Sequence, residues 1–391
     1  MEPAFLRNVK RVTSPIYEGL NTIAHLPRIA PAMDDTTLST QLLPSVTLTV
    51  QEFLAYKLPS VAPNIRFTRP NKYLSILEPN VDDVEEFAKL TLPPSGVLDS
   101  LREMDKSGAR SIICPHETSA GGKRYPMWLL TYWLQVKDVR GVQCQWRSAV
   151  SNLHERIKEK DNQSSELVQT VDTVVSHLPW AGEIPGFNTK TDMRFISFYL
   201  TTQWLTDDHE SLMLELLRRE TEQLEGVHIN FQDPFFIPLL CAAYDNRSNY
   251  GTDSSYQWLR DLGTDLGSHY HSHLVTISNI NQNHWGAIIV DFDQKLVQYG
   301  DSMDRLVKAG VKSALNWWLY IHTGQGFAYT KLPTTRQEDS HSCGILAWNA
   351  IAHYFFPKRH PLMDASRMRD ERLQILLKIL GYSKPEFHVV S

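Results

Sequence analysis

Cysteine is scarce in this 391-residue chain: only Cys114, Cys144, Cys241 and Cys343 occur. No two form a CxxC pair, which excludes a zinc ribbon or a thioredoxin-like site, and four cysteines over this length make no disulfide framework. Long apolar runs are also missing. The longest, Pro126–Leu134 and Phe235–Tyr244, are too short to cross a bilayer. Arg7, Lys10 and Arg11 have no apolar run behind them, so no secretory signal is expected. There is no excess of positive charge. A net charge of -5 argues against a general grip on nucleic acid. No internal repeat and no low-complexity tract is visible. The expectation is a soluble intracellular protein, nuclear or cytoplasmic, away from membranes. In such a reducing compartment a single reactive thiol can persist.

Apolar residues make up 42% of the chain, enough for one large core or two smaller ones. Residues 1–70 show weak periodicity, punctuated by Pro59, Pro63 and Pro70. Helices are expected over residues 80–107 and Met127–Glu159, with Gly141 a candidate interruption. The charged stretch Lys158–Glu166 reads as a solvated face or a hinge. Leu178–Lys190, with Pro179, Gly182, Pro185 and Gly186, reads as a linker. A mainly helical, partly irregular region of unknown role is therefore expected over residues 1–190, and a catalytic α+β domain over 191–391. In the second part, strands are expected at Leu274–Ile280, Trp285–Asp291, Lys295–Tyr299 and Gly326–Leu332. Helices are expected at Asp207–Gln223, Val307–Ile321, Ile345–Phe356 and Ser366–Leu380. Met193–Thr202 reads as a strand or a short helix.

The segment HWGAIIVDFDQKLVQYGD runs from His284 to Asp301. Two β-rich runs flank a polar turn at Asp293–Gln294, which predicts a hairpin. His284 and Asp301 lie symmetrically about that turn and meet at its open end. A carboxylate there can fix the imidazole tautomer and stabilise the imidazolium. The plainer alternative is a polar hairpin end without chemistry. Further on, Cys343 precedes the helical pattern Ile345, Leu346, Trp348, Asn349, Ala352. A helix start favours a thiolate through its free N–H groups and dipole. The alternative is an inert buried cysteine. Gln337, six residues earlier, and the Cys343 backbone N–H can supply two oxyanion donors, unless Gln337 is an ordinary loop residue.

Four spaced motifs, His284-Trp285, Asp301, Gln337 and Cys343-Gly344, resemble the catalytic domain of the ubiquitin-like-protein proteases, the SUMO-specific and adenain-like cysteine peptidases. The seventeen-residue step from His to Asp and the six-residue step from Gln to Cys fit that pattern. Trp204-Leu205-Thr206-Asp207 is similar to the family's Trp-Leu-x-Asp motif, and Asp364–Leu380 to its closing helix. Ser342 departs from the Asp that many members carry before the cysteine. The resemblance covers about residues 190–385. It implies a papain-like α+β core and cleavage after the Gly-Gly tail of a SUMO-type modifier, by deconjugation, precursor processing or both. The catalytic residues would be His284, Asp301, Gln337 and Cys343. Trp204 and Trp285 would bind substrate, roofing a tunnel that admits only glycine. The implied partners are the modifier and its conjugates, with no metal and no cofactor. A catalytically silent modifier-binding module is the alternative. The tryptophan-rich stretch Pro126–Arg147 looks like the N-terminal region of fungal relatives linked to mobile elements.

Three further signals carry little. His269, His271 and His273 alternate as a divalent-metal clamp would, but an exposed strand face beside the site is the preferred reading. Cys114-Pro115-His116 lacks a second ligand pair. Gly121-Gly122-Lys123 lacks the spacing of a phosphate loop.

Overall fold

The computed structural model describes residues 42–62, 73–81, 86–87, 90–104, 108–113, 122–159, 162–224, 226–268, 270–279 and 283–382. They form two compact units. One comprises residues 42–148 and 176–181, the other 149–175 and 182–382.

In the first unit, α1 (Val50–Ala55) starts at a capping box. The Thr49 hydroxyl accepts from the Glu52 N–H, and the Glu52 carboxylate accepts from the Thr49 N–H. Strands β1 (Leu74–Ser75), β2 (Ser111–Ile113) and β3 (Arg124–Pro126) form a small antiparallel sheet. Of the helix expected over residues 80–107, the described residues hold only a two-residue helical fragment, Glu86-Phe87, and α2 (Ser95–Met104). Pro93-Pro94 fixes the start of α2, because the residue before a proline is driven out of the helical region. Asp82 and Asp83 lie outside the described residues. The long pattern from Met127 is α3 (Trp128–Lys158), uninterrupted at Gly141. Trp133, Val136 and Val142 are buried on both sides of that glycine, and packing offsets its helix cost of about 1 kcal/mol. Residues 149–158 of α3 belong to the second unit. So does most of the next helix, α4 (Asn162–His177).

Leu178–Lys190 is not a loose linker. In the first unit Trp180 stacks on Phe53 at 4.0 Å and donates its indole N–H to the Ser45 carbonyl. In the second, Ile184 is fully buried and Glu183 bridges to Asp192.

The second unit is α+β. Met193–Leu200 is a 3-10 helix, followed by α5 (Asp207–Thr221), β4 (Ile229–Phe231), α6 (Phe236–Asp245), α7 (Gln257–Gly267), β5 (His273–Asn279), β6 (Trp285–Asp291), β7 (Leu296–Asp301), α8 (Ala309–Thr323), β8 (Ala328–Lys331), α9 (Cys343–Phe355) and α10 (Met368–Tyr382). The sheet order is β4-β5-β6-β7-β8. Its inner pairs are antiparallel and its outer pairs parallel. All seven residues of β6 are buried, so its run WGAIIVD is apolar nearly throughout instead of alternating. One core gathers Leu274, Ile288, Val290 and Val297 with Phe236, Leu240, Leu259 and Trp318 of α6–α8. Helix α9 packs against β5, β6 and β7, and α5 packs on α9.

Candidate active site

The hairpin register differs from the symmetric pairing expected. The turn occupies residues 292–295, with Lys295 at φ 55 and the Asp291 carboxylate accepting from the Gln294 N–H. Asp301 therefore pairs with Gly286, not with His284. His284 lies two residues beyond and reaches Asp301 as a diagonal neighbour. Its Nε2 is 2.9 Å from Asp301 Oδ1, and both side chains are buried. Asp301 also accepts from the Met303 N–H at 2.7 Å and from the Tyr299 hydroxyl at 3.0 Å. Burial alone would raise the Asp301 pKa. The hydrogen bonds from His284, Met303 and Tyr299 outweigh it and hold the carboxyl below its ordinary range. With Nε2 on the carboxylate, Nδ1 is the imidazole nitrogen left for a nucleophile.

Cys343 is the first residue of α9 and only 4% exposed. The backbone N–H groups of Trp285, Gly344 and Cys343 itself pull the thiol toward its ionised form. The Trp285 ring lies against Gly344, so the start of α9 meets the residue that follows His284. These donors favour a thiolate, but burial is the larger influence and Glu210 adds to it. The thiol is pushed up to about 11, so it rests protonated.

Gln337 lies beside the aspartate. Its N–H donates to the Ser302 carbonyl at 2.8 Å, and its side-chain oxygen accepts from the Ser302 hydroxyl at 3.0 Å. Its amide nitrogen donates to Asp339, at 2.8 Å to the carbonyl and 3.1 Å to the carboxylate. Both amide hydrogens are thus engaged at rest. The Trp285 ring is 5% exposed, donates to the Leu205 carbonyl at 3.1 Å and lies against Gly344. Trp204, just before α5, is 46% exposed.

Three residues here were not singled out from the sequence. Asp339 takes the N–H groups of His341 and Ser342, both at 2.9 Å, and the Ser342 hydroxyl at 2.5 Å. It thereby shapes the loop that delivers Cys343. Its spacing, four residues before the cysteine in a polar loop, was the available signal. Arg372 on α10 is wholly buried and donates to the Phe198 and Gln203 carbonyls, each at 2.7 Å. Glu210 on α5 is also wholly buried, and neither of its oxygens has a hydrogen-bond partner. Both look like surface charges on amphipathic helices, and only the packing shows otherwise.

Among the described residues, no cluster of three or more His, Cys, Asp or Glu could hold a metal ion. His271 pairs with Asp265, and His273 with Ser272 and Asp291. His269, Cys114-Pro115-His116 and Gly121 lie outside the described residues. No helix among them is long and apolar enough to cross a membrane.

Residues 203–379 match the model of the Ulp1 protease family, C-terminal catalytic domain. This segment is a Ulp1-family cysteine peptidase domain. Its span holds His284, Asp301, Gln337, Cys343 and both tryptophans. Comparison with the curated proteins found no match. Among solved structures, this chain is similar to the yeast Ulp1 C-terminal protease domain in complex with Smt3, the yeast ortholog of SUMO. That match has 18% identity and a TM-score of 0.42, over 56% of this chain and 95% of that one. The Ulp1-like SUMO protease catalytic domain of Chaetomium thermophilum matches at 15% identity and a TM-score of 0.41, over 58% and 93%. The effector XopD of Xanthomonas campestris, bound to ubiquitin, matches at 19% identity and a TM-score of 0.30, over 44% and 92%. With TM-scores below 0.5, these likenesses add nothing to the family match. None of them speaks to a fungal mobile-element type.

Proposed function

We propose that this protein is a thiol isopeptidase that cuts after the Gly-Gly tail of a SUMO-type ubiquitin-like modifier. The observation that carries the reading is the buried His284–Asp301 pair, with Cys343 at the start of α9 and the next residue, Gly344, lying against Trp285, the residue after His284. His284 takes the thiol proton as the sulfur attacks the carbonyl of the glycyl–lysine bond, and Asp301 holds the ring and its developing charge. The Cys343 N–H stabilises the oxyanion, joined by Gln337 once its amide exchanges one Asp339 contact for the substrate. His284 then protonates the leaving amine, and water attacks the thioester with His284 as base. The same chemistry serves precursor processing and deconjugation. Trp204 and Trp285, on either side of Leu205, would select glycine by leaving no room for a Cβ.

The partners are the modifier and its conjugates, in the nucleus or cytoplasm. The catalytic role falls to residues 191–391 and a separate role to 1–190, although the compact units themselves interleave in sequence. A panel of ubiquitin-like proteins with C-terminal electrophiles tests the reading. One modifier should label Cys343, and labelling of none would refute it. One observation favours a silent modifier-binding module instead: the thiol is enclosed and protonated at rest. That reading requires tight modifier binding without turnover, unchanged by Cys343→Ala.

A further inference from the structure

The carboxyl of Glu210 lies where Gly344 leaves space beneath the cysteine. A Cβ on Gly344 would overlap Glu210 Oε1, and Trp285 Cδ1 would stand at 3.3 Å. A wholly buried carboxyl with both oxygens unpartnered is costly, by about 1–3 kcal/mol, and stability gives no reason to keep it. Its position next to Cys343, a cysteine at a helix start, offers a functional reason. We infer that Glu210 is a positioning residue for the nucleophile: its carboxyl supports the Cys343-Gly344 turn, and its charge state sets how readily Cys343 becomes a thiolate. The inference rests on the reading of Cys343 as nucleophile.

The surroundings fix the sign. On its own helix, Asp207 repels a charge on Glu210, and the His209 ring turns away to Thr206 and the Phe195 carbonyl. Tyr199 of the 3-10 helix is buried beside it and presents a neutral phenol. Arg372 approaches from α10, Cys343 from α9, and His284 heads β6. Burial outweighs Arg372 and keeps the Glu210 carboxyl protonated well above its ordinary range. Arg372 makes no salt bridge among the described residues, and the ionised carboxylate it feels is that of Asp339 in the loop before α9. The Arg372 pKa falls to about 10 through burial, so it remains a cation at neutral pH and draws Cys343 toward the thiolate. Once Glu210 ionises, it cancels that cation and opposes a second negative charge on sulfur. Cys343 and Glu210 thus titrate as a coupled pair in which one negative charge resists the other.

The test follows alkylation of Cys343 by iodoacetamide against pH in the full chain, read at the Cys343 peptide by mass spectrometry. In Glu210→Gln, which keeps shape and removes charge, the titration midpoint should fall by about one unit. Alkylation near the wild-type midpoint should then be several-fold faster than in the wild type. Glu210→Leu should shift the midpoint in the same direction. A merely structural Glu210 would change the melting temperature and leave the midpoint in place. Midpoints that coincide in all three proteins, or that rise in the variants, overturn the inference. If neither variant folds, the wild-type profile decides, because a single ideal titration of Cys343 contradicts coupling. Peptidase activity that survives Cys343→Ala removes the proposed function instead, and the thiol titration still reports on Glu210.

Discussion

Asp301 accepts three hydrogen bonds, one of them from the buried His284 imidazole, and two consequences belong to that residue. Asp301→Asn should fix the wrong tautomer of His284 and lower kcat by a factor on the order of 10^3–10^4, with modifier binding retained. Single-turnover cleavage, compared with binding by calorimetry, separates the two effects. Because the folded pKa of Asp301 is lowered, its stabilisation is present above the unfolded carboxylate pKa. It is lost as pH falls through the folded value. Glu210 has the opposite sign. Its folded pKa is raised, so the folded chain binds its proton more tightly. Stability then falls as pH rises from the ordinary carboxylate range toward the folded value. Thermal melts should show Glu210→Leu stabilising the chain more at pH 8 than at pH 5. Equal gains at both pH values would mean that Glu210 is ionised, or exposed, in the folded protein. Gly344→Ala should cost about 1–3 kcal/mol through overpacking against Glu210, with part of the loss recovered when Glu210 is also alanine.

The hairpin and the nucleophile helix were the elements most legible in the sequence. Apolar β-rich runs around a polar turn located β6 and β7. A cysteine before an apolar helical pattern located α9. The register was legible in the turn itself: positions placed evenly about Asp293–Gln294 set Asp301 opposite Gly286, and the symmetric placing of His284 and Asp301 was off by two residues. Helices α6 and α7 escaped notice for different reasons. The sequence FIPLLCAAYD is too uniformly apolar to show a helical period, and Pro238 suggests a break although it sits harmlessly in the first turn. In α7, Gly263 and Gly267 obscure the pattern. A Cβ at Gly263 would collide with the His322 ring of α8, so that glycine serves close helix packing. The loop before α9 carries its own prediction. Asp339→Ala frees the His341 and Ser342 N–H groups and the Ser342 hydroxyl, and should lower kcat about 10- to 100-fold through misplacement of Cys343. Steady-state kinetics against an unchanged fold by circular dichroism checks this.

At the scale of the whole molecule, the unit that holds the site includes a piece of sequence far upstream. Arg156, near the end of α3, donates to Asp370 of α10 at 2.5 Å, and both are nearly buried. Glu159 pairs with Arg369 one turn further on. These two charged pairs lie between residues more than two hundred positions apart, and nothing in local periodicity could announce them. A chain starting at residue 191 would leave Asp370 without its buried partner. It should be less stable than the full chain by about 3–5 kcal/mol, measured by urea unfolding. Equal stabilities would mean that the ion pair is replaced by water at no cost. Helix α10 also supplies Arg372 to the region around Cys343, so loosening its anchor should reach the site.

Whether Cys343 is the nucleophile, served by His284 and Asp301, is decided by intact-mass analysis after incubation with a SUMO-type modifier that ends in an electrophile. One adduct is expected on the full chain, mapped to Cys343, absent in Cys343→Ala and slowed at least a hundredfold in His284→Ala. An adduct that persists in Cys343→Ala, or forms at the wild-type rate without His284, would contradict that assignment.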